Sequence, residues 1–199
     1  MLTPRFEDAL AYAVQLHKTQ KRKGSDIPYI SHLLAVSAIV LEHGGGEDEA
    51  IAALLHDAIE DQGGAATREE IRRRFGDRVT EIVDGCSDAE TIPKPPWRER
   101  KEAYIAHVAL ADESVRLVSA ADKLHNSRSI LADYRQIGDA LWPRFTGRKD
   151  GTLWYYRSLV DAFKAHGQTP LIDELERTVT ELESHATASD GRATSSAIE

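Results

Sequence analysis

Apolar residues recur along this chain at the three- and four-residue spacing of helices that bury one face. Phe6, Leu10, Ala13, Val14 and His17 share one stripe of a first predicted helix. A second starts near His32 and carries Leu34, Val36, Ile39 and Val40 to a stop at Gly44-Gly45-Gly46. A third is predicted over 47–60, with Ile51, Leu54, Leu55 and Ile59 on its apolar side. Thr67 with Glu70 reads as a capping box that opens a fourth helix, ending near Gly76. A fifth covers 77–87; Pro93, Pro95 and Pro96 then break the chain ahead of a sixth over 97–110. A seventh runs over 114–132, and helical stretches follow at 137–145, 151–166 and 170–185. No segment alternates as a strand would. The expected fold is all-α, one bundle-like domain of about nine or ten helices over residues 1–185. Residues 186–199, ATASDGRATSSAIE, are small and polar and are expected to form a disordered tail.

Composition narrows the classes. The 199 residues are 41% hydrophobic and 29% charged, ordinary for a globular domain. No apolar run approaches the roughly 18 residues of a spanning helix. The start, MLTPRFEDALAY, lacks a basic region followed by an apolar one, so a cytoplasmic protein is expected. Cys86 is the only cysteine, which excludes an internal disulfide and a thiolate-rich metal site. The net charge of −8 argues against a nucleic-acid binder, while a local basic patch could still hold an anion.

Four features carry chemistry: His32 in PYISHLL, His56-Asp57 in ALLHDAIED, Glu60-Asp61 just beyond, and Asp122 inside LVSAADKLHN. On a helix, residues four apart share a face. Glu60 then lies one turn past His56, Asp61 one turn past Asp57, and Asn126 one turn past Asp122, with Ser129 near two turns on. Burying Asp57 or Asp122 without a partner costs several kcal/mol. A divalent cation would supply that partner. Two imidazoles and two carboxylates suit Mn²⁺ or Fe²⁺ and can hold Zn²⁺. In a six-coordinate ion they leave two open positions, a mark of catalytic sites. Glu60 and Asp61 would serve proton transfer beside a bound water. Taken singly, each feature has a bland reading: a capping histidine, a solvated helix end, a buried acceptor. Their order and spacing make the conjunction more specific. Lys18, Lys21, Arg22 and Lys23 form a basic cluster in an acidic chain, read equally as an anion contact or as a solvated helix end. Trp97, Trp142, Trp154, Tyr155 and Tyr156 read as packing aromatics. His107 and His166 are given no ligand role, and His125 at most supports Asp122.

The order His32, His56-Asp57, Asp122 resembles the HD superfamily of metal-dependent phosphohydrolases. RKGSDIPYISH, LLHDAIED and SAADKLHNSRSI are similar to the hydrolase domain of RelA/SpoT homologues, and most of all to stand-alone small alarmone hydrolases. The resemblance covers roughly residues 5–165. It implies an HD-domain helical bundle that uses Mn²⁺ to remove the 3′-pyrophosphate of ppGpp or pppGpp, giving GDP or GTP and pyrophosphate. His32, His56, Asp57 and Asp122 would be the metal ligands. Glu60 and Asp61 match the family's catalytic pair. Arg22, Lys23, Asn126 and Ser129 match its nucleotide contacts. A later nucleotide-contacting tyrosine falls on Tyr155 or Tyr156, and Tyr155 is chosen; Lys94, Arg98 and Arg148 are further basic candidates. The implied partner is a small nucleotide, with no nucleic acid and no membrane. The alternatives are an HD-type hydrolase of another phosphorylated nucleotide, such as an NADPH 2′-phosphatase, and a non-catalytic alarmone sensor. Oligomeric state is not readable.

Overall fold

The computed structural model describes residues 1–87 and 95–195, with side chains described through residue 188. The helices in chain order are α1 (Pro4–Leu16), α2 (Ile30–Glu42), α3 (Glu47–Leu55), α4 (Ala58–Asp61), α5 (Ala65–Phe75), α6 (Asp77–Cys86), α7 (Trp97–Val108), α8 (Glu113–Ile137), α9 (Arg148–Lys164) and α10 (Pro170–Ser195), with a 3₁₀ helix at Gly138–Arg144 between α8 and α9. The fold is all-α, as expected, and no strand forms among the described residues. A lone antiparallel bridge joins Lys21 to Pro28. None of the described helices is long and apolar enough to cross a membrane.

The 25-residue α8 is the axis, and α2, α3, α6, α7, α9 and α10 all pack on it. The Asp112 side chain starts it by accepting from Val115 N–H, and Gly138, at φ 55°, ends it in a conformation that glycine adopts without strain. It runs five residues beyond the predicted end because Leu131 and Tyr134 are still buried. The core is made by Leu33, Val36 and Val40 of α2, Ile51, Leu54 and Leu55 of α3, Val118, Ala121 and Leu124 of α8, Leu159 and Phe163 of α9, and Leu175, Val179 and Leu182 of α10, all fully buried. Each such large aliphatic or aromatic side chain contributes about 1.5–3 kcal/mol by leaving water.

Three local expectations need correction. The helix expected over 47–60 is two, because Asp57 (φ −98°, ψ −2°) leaves helical geometry between α3 and α4. The capping box at Thr67 and Glu70 is absent. Gly63 and Gly64 have positive φ and let α5 start at Ala65, so Thr67 lies inside it and donates to Gln62 O, while Glu70 pairs with Arg73 and Arg74. The helical stretch expected at 137–145 forms over Gly138–Arg144, as a 3₁₀ helix that contains Pro143. Val14, assigned to the inner stripe of α1, is exposed; Ala13 of that stripe is buried, joined by Ala9 and Tyr12. At the other end, α10 crosses the composition boundary at 186: Ala186 is fully buried, continuing the stripe of Val179 and Leu182, and alanine is the best helix former.

Candidate functional site

Three chain segments meet beside the middle of α8. The start of α2 brings His32, the α3–α4 junction brings His56 and Asp57, and the middle of α8 brings Asp122. His32, His56 and Asp57 each offer a ligand atom, all within 4.8 Å of one another. His56 Nε2 is 3.0 Å from Asp57 Oδ2 and 3.6 Å from Asp122 Oδ1. His32 Nε2 is 3.1 Å from Asp122 Oδ1 and 3.8 Å from Asp57 Oδ2. Asp57 sits at the junction of α3 and α4, with φ −98° and ψ −2°. In a continuous helix, adjacent side chains diverge by about 100°. Here His56 and Asp57 turn to the same point.

The donor chemistry fits a divalent cation. His56 Nδ1 lies 2.8 Å from the Ala53 carbonyl, which can only accept, so Nδ1 carries the proton. In the neutral ring Nε2 is then a bare lone pair. It is buried, has no hydrogen-bond partner, and faces two carboxylates. His32 Nε2 is likewise buried and unpartnered, while its Nδ1 is 2.7 Å from His125 Nδ1. The His56 lone pair converging with two carboxylate oxygens on one point needs a positive charge between them. Without one, protons must fill that role. Burial pulls His56 down, but the Asp57 and Asp122 charges outweigh it and hold its pKa well above the usual histidine value. For His32 burial wins, and its pKa is lowered. Burial pushes Asp122 up, yet Lys123 and both imidazoles outweigh it and hold the carboxyl well below its usual range.

Each of these groups is held from behind. Tyr29 Oη donates to Asp57 Oδ2 at 2.5 Å. Lys123 Nζ and Asn126 Nδ2 each donate to Asp122, both at 2.5 Å. Lys123 is itself largely covered, its side chain 14% exposed, with Nζ 4.9 Å from the Tyr104 ring centroid. Burial and the neighbouring His32 lower His125 to about 4, so it stays neutral beside His32.

Glu60 and Asp61 close α4 one turn beyond the HD pair, and Asp61 N–H donates to Asp57 O at 2.9 Å. Asp61 belongs to an amide network. Gln20 Nε2 donates to Asp61 Oδ2 at 2.8 Å, and Gln62 Nε2 donates to Gln20 Oε1 at 2.6 Å. His17 Nδ1 lies 2.6 Å from the same Gln20 oxygen, and its ring stacks on Tyr29 at 5.2 Å. Burial, followed by the charges of Asp57 and Glu60 acting against the Gln20 hydrogen bond, raises the Asp61 pKa.

A cleft of about 430 Å³ lies beside this centre, within the range of small-molecule sites. Arg22, Lys23, Asn126 and Ser129 line it, with Ile27, Ile130, Asp133, Phe145 and Tyr156. Four of the sequence candidates for nucleotide contact, Arg22, Lys23, Asn126 and Ser129, therefore share one cleft, and Arg148 is not among its lining residues. Arg22 donates to Asn126 Oδ1 at 2.7 Å, and Ser129 Oγ to His125 O at 3.0 Å. The aromatic candidate is corrected: Tyr156 lines the cleft, whereas Tyr155 packs against Trp97 and Trp154 with Lys101 over its ring. Adjacent residues on α9 point about 100° apart, so only one can face the cleft. Arg98 is also elsewhere, stacked on Trp154 and paired with Glu102. Lys94 lies outside the described residues. Sequence pattern alone does not mark Gln20 or His17 as supports of the site, whereas Tyr29, three residues before His32, and Lys123, next to Asp122, carry a local signal in their positions. The contact between Gln20 and Asp61 spans 41 residues, and no local pattern announces it.

Comparisons with known proteins agree with this geometry. Residues 9–152 match the HD domain family. The chain is 40% identical over 126 residues to the guanosine-3′,5′-bis(diphosphate) 3′-pyrophosphohydrolase MESH1 of Xenopus tropicalis, covering 62% of this chain and 68% of that protein. It is 38% identical over 127 residues to the GTP pyrophosphokinase of Streptomyces coelicolor, covering 63% of this chain and only 15% of that much longer protein. Among solved structures, a metazoan ortholog of SpoT described as hydrolyzing ppGpp superposes with a TM-score of 0.75 at 25% identity, covering 91% of this chain and 97% of that one. The lmo0812 protein of Listeria monocytogenes superposes at 0.68 with 30% identity, covering 76% and 97%.

Proposed function

The chain belongs to the HD domain family, and on that footing we propose that it is a divalent-metal-dependent hydrolase of the 3′-pyrophosphate of ppGpp and pppGpp, releasing GDP or GTP and pyrophosphate. The observation that carries the proposal is the His56 lone pair, buried between two carboxylates whose partners Tyr29 and Asn126 line a cleft with Arg22 and Lys23.

His32, His56, Asp57 and Asp122 would hold the cation, and a nitrogen–oxygen set without thiolate suits Mn²⁺. When bound, it polarises a phosphoryl oxygen and makes water a usable nucleophile near neutral pH. Tyr29 and Asn126 orient the two carboxylates through their hydrogen bonds. Asp61, held by Gln20, and Glu60 lie one turn past the HD pair, where a carboxylate takes the proton of the attacking water. Arg22 and Lys23 neutralise and fix the phosphates, the guanidinium by paired donors and the ammonium as a point charge. Asn126 and Ser129, which line the cleft, would contact the ribose, and Tyr156 on its wall would pack on the base.

A nucleotide panel tests this reading. The purified chain is incubated with ppGpp, pppGpp and NADPH in Mn²⁺, Mg²⁺, Zn²⁺ or chelator. Metal-dependent loss of pyrophosphate from the guanosine substrates alone is expected. Phosphate release from NADPH alone would reassign the substrate. Tight binding of ppGpp without turnover would make the chain a sensor, although an intact Glu60-Asp61 pair argues against that.

A further inference from the structure

The cleft beside the metal-ligand cluster is an unusual place for an acid. It must accept a polyanion, and among the described residues lining it Asp133 is the one carboxylate. An acidic side chain there repels phosphate unless it meets donors at the end remote from the phosphates. Its place on α8 puts it at that end. Asp122, Asn126, Ser129 and Asp133 follow one another at spacings of four, three and four residues. At 100° per residue they form a single stripe. The stripe runs about 16 Å from the metal-ligand end, by the rise of 1.5 Å per residue. Side chains lean back toward the helix start, which shortens that reach.

Asp133 is also paired. Arg144 Nη1 donates to Asp133 Oδ2 at 2.9 Å. The Arg144 side chain lies over Gly24, where a Cβ would come within 2.8 Å of its Cδ. The pair thus bridges α8 to the loop that follows Arg22-Lys23. Around it the walls are apolar: Ile130 is buried, Phe145 is half-buried, and Ile27 is 53% exposed, a large aliphatic face left for a flat ring to cover.

The geometry points to Asp133, with Arg144 beside it, as the residue that selects guanine over adenine at the base end of the cleft. This rests on the nucleotide-hydrolase reading above. A carboxylate only accepts hydrogen bonds, and the guanine Watson–Crick edge offers two donors, N1–H and the 2-amino group. A guanidinium only donates, and guanine O6 and N7 are both acceptors, the commonest specific base contact of arginine. Adenine reverses the pattern, with an acceptor at N1 facing the carboxylate and an amine at position 6 facing the guanidinium. A site built to bond donors rejects the analogue that lacks them.

The test measures kcat/KM for guanosine and adenosine 3′,5′-bis(diphosphates) with the Mn²⁺-loaded protein, and for Asp133→Asn, which keeps size and can still accept from Arg144. The native chain should prefer guanosine by about tenfold or more, the scale of a bidentate base contact on a half-exposed group. Asp133→Asn should collapse that ratio toward one by lowering the guanosine value. Equal native values, or a parallel loss on both substrates in the variant, would overturn the proposal. If neither nucleotide is turned over, the hydrolase reading fails by itself. Calorimetric titration with GDP and ADP then decides the selection. Tighter GDP binding that Asp133→Asn abolishes upholds it, and equal binding overturns it.

Discussion

The phenol of Tyr29 donates to Asp57 Oδ2 at 2.5 Å, and the ring that carries it is stacked on His17 at 5.2 Å and set edge-on to His32 at 5.5 Å. Burial, then the charge of Asp57, push the phenol far above its ordinary pKa, so it remains a donor at any working pH. One side chain therefore fixes both a carboxylate and an imidazole of the metal-ligand cluster.

Removing that hydroxyl should be felt as metal affinity. Tyr29→Phe keeps both ring contacts and loses only the donor. Mn²⁺ affinity is expected to fall by about 10- to 100-fold, the usual weight of a bond to a metal ligand. Calorimetric titration with Mn²⁺ reads this directly. Unchanged affinity would show that Asp57 needs no such support.

Gln20 tests the other half of the site. Its amide stabilises the ionised form of Asp61, whose pKa is already raised by burial and by Asp57 and Glu60. A base must be ionised, so activity falls as pH drops through that pKa. The acid limb of the rate profile is thus expected above the ordinary aspartate value of about 4. Gln20→Ala removes a donor that lowers the pKa, so the limb should move to higher pH while metal affinity stays constant. A limb that stays in place would separate Gln20 from the catalytic pair.

Glu60→Gln should retain metal and nucleotide binding and lower kcat by about 10²-fold or more, the range of acid–base catalysis. Loss of bound metal in this variant would instead make Glu60 a support of the metal centre.

The buried neighbours Asp122 and Lys123 bond at 2.5 Å with side chains 9% and 14% exposed. Asp122→Ala strands the lysine as a buried cation, at a cost of about 3–5 kcal/mol. Adding Lys123→Met should recover most of that stability in urea unfolding and none of the activity. Full recovery of activity would remove Asp122 from the metal ligands.

Much of this was legible in the sequence, for identifiable reasons. Helical periodicity marks α2 and α8 because each buries a wide face, and His32, His56, Asp57 and Asp122 stand out as polar residues inside apolar runs. The break between α3 and α4 was hidden, since nothing in ALLHDAIED signals that Asp57 leaves the helix. The early start of α5 was masked by a good capping pattern that Gly63-Gly64 overrides. Tyr155 and Tyr156 are indistinguishable by composition, and only the rotation of α9 in its packing separates them. Gln20 and Asp133 act through contacts set by tertiary structure, which no local spacing reveals.

The most direct measurement is to incubate the purified chain with ppGpp, with Mn²⁺ and with chelator, and to resolve the products by anion exchange. GDP and pyrophosphate in equal amounts, formed only with Mn²⁺, are the expected result. Intact ppGpp beside a protein that has bound its metal would contradict the assignment of this site to 3′-pyrophosphate hydrolysis.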